Sequence, residues 1–356
     1  MSLLFRYIAR EILVASALAA LALTSMFSFF DFIHELSESH TETYTPLLAT
    51  LFVVLNIPGR LNELIPVAVL VGGLFAWNRL ALSSEFSVMR AGGLSALRLA
   101  AWMLGVGLLV GGLSLLLGEY VTPPAERAAQ QLKLRATSGV VAKEFQTGVW
   151  AKDGATFINI REMRPDASLV DLRLYVFDER FQLRSLRRAE SAEWRNGHWM
   201  LRRVTETRLG ENSTQTQQLV DQTWASAVTP DLLAVLLVSP QRMSMTTLYS
   251  YIHHLTRNRQ DAQRYLIAFW NKVAYPLAAP VMLLLALAFA YRPPRAGGAG
   301  GRLLLGILLG LGFHIANRLS AQFAQLQDWP APLSASVPIL VFGLAAGAAI
   351  WWMERR

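Results

Sequence analysis

Polar and apolar positions divide this chain into three parts. Long apolar runs free of Asp, Glu, Lys and Arg occupy residues 12–30, 99–118, 273–291, 303–317 and 333–353. A bilayer core about 30 Å thick needs roughly 20 apolar residues per helix, and these runs come close to that. The stretch 47–77 is interrupted by Pro58, Arg60, Glu63 and Pro66. It reads as a membrane helix over 61–78 with an interfacial lead-in over 45–56. Six spans follow, three before and three after a polar middle. Residues 12–30 do not read as a signal peptide. The run is too long, and Phe27, Phe29 and Phe30 stand where a cleavage site needs small residues.

From about residue 139 to 243 the pattern changes to short strands, at 144–152, 156–161, 169–178, 191–195 and 199–209. Leu172, Leu174 and Val176 alternate with Asp171, Arg173 and Tyr175, the period-two sign of a half-buried strand. Asn196-Gly197 favours a two-residue hairpin turn, because both central positions need positive φ. That register sets Trp194 opposite Trp199. Asp153-Gly154 would likewise set Trp150 opposite Phe157. Strands and turns at this spacing suggest a sandwich or jelly roll. Its interior is either a filled core or room for an acyl chain, and the pattern favours the filled core.

Composition narrows the class. The chain is 53% hydrophobic and only 16% charged, against about 25% charged in a typical soluble domain. An ordinary soluble enzyme and a disordered chain are both disfavoured. The absence of cysteine removes disulfides, thiolate metal sites and cysteine nucleophiles. The net charge of +8 bears on membrane sidedness, and no nucleic-acid partner is implied. Arg6, Arg10, Arg79, Arg90, Arg98, Arg292, Arg295, Arg302, Arg355 and Arg356 fall on one side of the spans. The opposite loops 34–46 and 320–332 hold Glu35, Glu38, Glu42 and Asp328 with no Lys or Arg. Basic residues favour the cytoplasmic side of short loops, so both termini are expected in the cytoplasm and the middle domain outside it.

No catalytic constellation stands out. A Walker A sequence is absent, and 297–302 (GGAGGR) lacks the lysine and reads as a flexible loop. No two histidines have the i, i+4 spacing of a helical zinc site. His314 lies within an apolar span, with Asn317 and Arg318 one turn away. A polar residue there is either functional or a helix–helix hydrogen bond. Gly107/Gly111, Gly306/Gly310 and Gly343/Gly347 have the spacing that lets membrane helices approach closely. In the loop 79–98, Ser83-Ser84-Glu85 can cap a short helix whose apolar side is Phe86, Val88 and Met89. Such a helix either lies on lipid or docks a partner.

These segments resemble a known family in sequence order. Arg6-Tyr7-Ile8 precedes the first span. Ser84-Glu85, Val88-Met89 and Gly92 follow the second. The stretch 148–154 (GVWAKDG) opens the β domain, and Phe269-Trp270-Asn271-Lys272 with Pro276 starts the fourth span. Together they are similar to the LptF/LptG permeases of the lipopolysaccharide exporter of Gram-negative bacteria, with 148–154 closer to the LptG branch. The resemblance covers essentially the whole chain.

It implies a membrane α-helical bundle of six transmembrane helices with an inserted periplasmic all-β, jelly-roll-like domain. Residues 1–120 would hold three spans and a coupling helix around 82–92, residues 121–260 the β domain and its connectors, and residues 261–356 the last three spans. The implied function is the inner-membrane subunit of an ABC transporter for outer-membrane biogenesis. It would extract lipopolysaccharide and pass it toward a periplasmic bridge. The implied partners are the LptF permease, an LptB ATPase dimer and LptC. ATP and Mg would be used by the ATPase, with no cofactor and no catalytic or metal residue on this chain. The rival readings are the LptF role, a membrane-embedded lipid-modifying enzyme, a secondary transporter and a passive scaffold.

Residue by residue, Glu85 matches the acidic residue of the family's ATPase-coupling helix, with Phe86, Met89 and Arg90 beside it. That favours docking over the lipid surface. The first and fifth spans would gate lipid entry, which makes Phe27, Phe30, His314 and Asn317 cavity or gate candidates. Lys133 matches a basic position facing the lipid's phosphates, and Arg135 is close by. One departure stands out. Asp31, His34, Glu35 and Glu38 occupy the outer end of the first span, where relatives carry lysines. A carboxylate repels a phosphate, so Arg60, Arg318 and Lys133 are expected to supply compensating charge.

Overall fold

The computed structural model describes residues 3–38, 45–136, 148–163, 168–178, 180–195, 197–210, 213–226, 228–230, 233, 240–258, 260–290 and 299–354. Within them, six helices are long and apolar enough to cross a membrane. Helix α1 is Leu3–Glu38, α2 is Pro46–Leu82, α3 is Glu85–Ala91 and α4 is Ala96–Leu116. A π turn at Leu117–Val121 carries α4 into α5, Thr122–Ala136. Beyond the sheet come α6 (Met245–Arg257), α7 (Gln263–Ala274), a 3-10 turn at Tyr275–Leu277 and α8 (Ala278–Ala290). Helices α9 (Ala299–Leu326) and α10 (Ala331–Glu354) complete the bundle. The glycine-rich stretch read as a loop is helical from Ala299 onward.

Helix α2 is continuous, which corrects the division into a lead-in and a span. Pro58 and Pro66 both lie inside it. Each removes one backbone donor, and membrane helices tolerate this where neighbours supply replacements. In the turn before Pro66, next to the Asn62 carbonyl that Pro66 leaves without its helical donor, the Tyr275 hydroxyl donates to the Glu63 carbonyl at 2.6 Å. Helices α1, α5, α8 and α9 all pack against α2. Glycine permits this crowding. A Cβ on Gly72 would overlap the Ser16 backbone of α1, and one on Gly73 would crowd Ala286 of α8. Gly107 and Gly111 lie against Pro280 and Pro276, and Gly306 and Gly310 against Leu74 and Val67. Among the described residues, a Cβ on Gly343 would meet only Val281 of α8 at ordinary contact distance and one on Gly347 would meet nothing, so the third glycine pair forms no comparably tight seam there.

The middle domain is one antiparallel sheet with strands in chain order. Strands β1 (Val149–Asp153) to β3 (Leu169–Phe177) enclose β2 (Thr156–Met163). Strands β4 (Leu183–Arg195), β5 (His198–Leu209) and β6 (Thr214–Trp224) follow. Trp194 pairs with Trp199 as the turn predicts, and Trp224 extends the row. The first hairpin is shifted by one residue along each strand. Gly154, at φ +57, takes the first turn position, so Trp150 pairs with Asn159 and Phe157 with Lys152. Trp150 stacks on Tyr175 instead, at 5.6 Å. The module's core is Ile158, Ile160, Leu172, Leu174, Ala189, Leu201 and Val204, closed by Val228 and Leu233. Strand β6 escaped the pattern because most of its Thr- and Gln-rich residues are exposed at the sheet edge.

Side chains join the two parts. Glu119 in the π turn accepts from the Met245 amide at 2.7 Å at the start of α6. At the other end of α6, Asn258 Oδ1 accepts from the Gly154 amide at 3.2 Å.

Candidate functional site

Two polar clusters sit at opposite ends of the α1–α2 pair. At the first, α2 ends at Leu82 and the chain turns through Ser84, whose φ of +61 lies in the left-handed region. Glu85 opens α3, where the helix dipole favours an anion. Phe86 is buried against Trp77, edge to face at 5.8 Å, and Met89 packs on the bundle core. Phe86 therefore seats α3 and is not offered outward. Val88 and Arg90 are exposed, and Glu85 is half-buried. Each Glu85 oxygen accepts one hydroxyl: Tyr7 on Oε2 at 2.9 Å and Ser83 on Oε1 at 2.9 Å. Close by, Arg79 pairs with Glu11 at 2.5 Å.

At the second cluster, Arg60 of α2 grips Asp31 of α1, with Nη2 2.7 Å and Nε 3.0 Å from the carboxylate. Its other nitrogen donates to Glu63 at 3.1 Å, one turn along α2. Glu63 also takes Arg318 of α9 at 3.0 Å and lies 3.5 Å from His314 Nε2. One network thus joins the first, second and fifth spans. A second pair lies alongside, where Lys133 of α5 meets the buried Glu35 at 2.7 Å. The three basic residues expected to offset the carboxylates are each paired with one, Arg60 with Asp31, Lys133 with Glu35 and Arg318 with Glu63. Their charge is thus largely neutralised within the chain. Arg318 keeps most of its surface, being 67% exposed.

The other candidates fall around this network. The Phe27 ring lies under the Arg60 guanidinium at 6.0 Å. Phe30 and His34 are exposed on α1, and Asn317 is half-buried on α9. Arg135 belongs to α5, with its side chain outside the described residues. Residues 39–44 and 291–298 are likewise outside them, and so is the expected start of the first strand at 144–147. Sequence reasoning missed Glu63 as the hub. The signal was available, since a carboxylate three residues from Arg60 in an apolar helix marks a functional or pairing site.

The profile described as "Lipopolysaccharide export system permease LptF/LptG" matches residues 6–355. The chain belongs to this family. It is 31% identical over 353 residues to the lipopolysaccharide export system permease protein LptG of Haemophilus influenzae, covering 99% of this chain and 98% of that protein. To the LptG protein of Escherichia coli K12 it is 30% identical over 354 residues, with the same coverage. Within the LptF/LptG family it stands with the LptG permeases, as a multi-pass inner-membrane protein whose six spans flank an all-β insertion.

Proposed function

We propose that this chain is the LptG-type permease of a lipopolysaccharide exporter, working as a non-catalytic half of an ABC transporter. Its sister would be LptF, its motor an LptB dimer that uses ATP and Mg, and its further partner LptC. The ends bearing Arg6, Arg79, Arg90 and Arg98 would face the cytoplasm and the sheet the periplasm, as the arginine bias favours. The observation that carries this reading is α3. It is a one-to-two-turn helix between two spans, anchored by Phe86 and carrying a half-buried carboxylate beside exposed Val88 and Arg90. A motor that moves α3 moves α2, because Phe86 is packed on Trp77.

At the other end, an anionic head group reaching the first and fifth spans would meet Arg318 first. It would compete with Glu63 for that guanidinium. The Asp31–Arg60–Glu63–Arg318 network then becomes the element whose rearrangement admits the lipid.

The test is co-purification of the tagged chain from its native membrane, as wild type and as Glu85→Ala. The reading expects an ATPase and a sister permease with the wild type, and loss of the ATPase or of its stimulation in the variant. A wild-type chain that purifies alone, or ATP turnover by the isolated chain, would overturn it.

A further inference from the structure

Tyr7 lies five residues before the first long apolar run and donates to Glu85 Oε2 at 2.9 Å, across 78 residues of sequence. The ring is partly exposed, at 37%, so core packing alone does not explain its hydroxyl. The surroundings fix both partners. On α1, Glu11 stands one turn after Tyr7 and pairs with Arg79 at the end of α2. On α3, Phe86 and the left-handed Ser84 set the rotation that presents Glu85. Glu85 is held by two hydroxyls of different reach. Ser83 ties it to the end of α2, which Phe86 already does. Tyr7 ties it to α1.

We propose that Tyr7 is the positioning residue that transmits movement of α3 to the first span. This rests on the reading of Glu85 as the ATPase-coupling carboxylate. A carboxylate offers about four lone-pair sites, and hydroxyls occupy two here, so a basic group of the motor can dock without displacing Tyr7. When α3 is pushed, the Tyr7 hydroxyl pulls the start of α1 with it. α1 also carries Asp31, whose grip on Arg60 closes the network at its far end. Without the hydroxyl, α3 still docks and still moves α2, but α1 follows only through its contacts with α2, the Arg79–Glu11 pair and the Gly72 seam, and lags behind α3.

The experiment uses the complete transporter, with sister permease and ATPase, in proteoliposomes containing lipopolysaccharide. ATP turnover and lipid released are measured together, and melting of the complex serves as the folding control. Tyr7→Phe removes one oxygen and keeps the ring. ATP turnover is expected to stay within about two-fold, while lipid released per ATP falls roughly ten-fold. That factor corresponds to about 1.4 kcal/mol, close to the lower limit for one hydrogen bond to a charged group. Ser83→Ala removes the other donor to Glu85 without touching α1 and is expected to leave the ratio near wild type. An unchanged ratio in Tyr7→Phe overturns the proposal, and so does an equal fall in both variants, which would mean that the hydroxyls merely orient Glu85. Loss of the ATPase from Tyr7→Phe also overturns it, because the hydroxyl would then serve docking and not transmission. A wild-type chain that binds no ATPase fails the underlying functional reading instead.

Discussion

Where α1 crosses α2, Gly72 lies so close to Ser16 that a single added carbon would strike its backbone. In the sheet, Trp194, Trp199 and Trp224 fill one row, and the Trp199 indole is fully buried with its nitrogen donating to the Val228 carbonyl at 2.7 Å. One region is assembled by removing side chains and the other by adding them. The difference follows from the solvent. Lipid tails are as apolar as leucine, so helices gain little by burying apolar side chains and more by close backbone contact. The sheet faces water and gains about 25 cal/mol for each Å² of apolar surface it buries. Large aromatics supply that area.

Trp199→Ala is expected to have the larger effect of the two seam-breaking changes. It empties a fully buried site and strands the Val228 carbonyl. Burial of this kind is worth about 4 kcal/mol for an aromatic. Hydrogen exchange should show β4 and β5 losing protection by that amount while α2 and α8 keep theirs. Loss of protection in both regions alike would mean that the sheet and the bundle fold as one cooperative unit, and the contrast drawn between them would fail.

Gly72→Leu is the reciprocal change. It adds a side chain where α1 and α2 have no room, and overpacking of this kind costs about 2–3 kcal/mol. The spans should lose thermal stability in detergent while β4–β5 protection is unchanged. A neutral result would show that α1 shifts on α2 without penalty, and the glycine seam would then carry little of the bundle's stability.

Legibility also divides along this line. Five of the spans are readable because a charge-free apolar run of bilayer length rarely suits anything but a membrane helix. The α2 boundary is not, since prolines that end a helix in water are tolerated in a membrane. In the sheet, alternation exposes β2 and β3, and Asn-Gly sets the Trp194–Trp199 register. Strand β4 begins at Leu183, well before the expected 191. Its first half carries Arg184, Arg187 and Arg188, whose partners Asp178, Glu206 and Asp171 lie on neighbouring strands or turns. The second polar cluster is half legible. Arg60, Asp31 and Arg318 can be singled out one by one, but pairing across three spans depends on helix rotation. Periodicity in a uniformly apolar helix says little about rotation.

Charge is the remaining point on which the two regions can be compared. In the bundle, the Arg60–Asp31 pair that anchors the largest network keeps 29% and 37% of its side-chain surface, although Glu35, paired with Lys133, is buried. The sheet buries its carboxylate, since Glu206 is 2% exposed between Arg187 at 2.8 Å and Arg208 at 2.9 Å. Burial alone would raise the Glu206 carboxyl, but hydrogen bonds from Arg187 and Arg208 overcome it and hold the group below its ordinary value. A carboxyl depressed in the folded state contributes stability that is present above the ordinary glutamate value. That stability is lost as pH falls through the lower folded value. Glu206→Gln keeps the shape and removes the charge, so it should lower protection of β4–β5 by about 2 kcal/mol near neutrality. The gap between variant and wild type should then narrow below about pH 4, as the wild-type group takes up its own proton. Asp171 and Asp178 are also held low, Asp171 by arginines that outweigh its burial and Asp178 chiefly by the Gln182 amide. Both titrate equally in the two proteins and cancel in the difference. A gap that stays constant from neutrality to pH 3 would mean that the contribution of Glu206 comes from packing and not from charge. The sheet would then be held, like the Gly72 seam of the bundle, by fit.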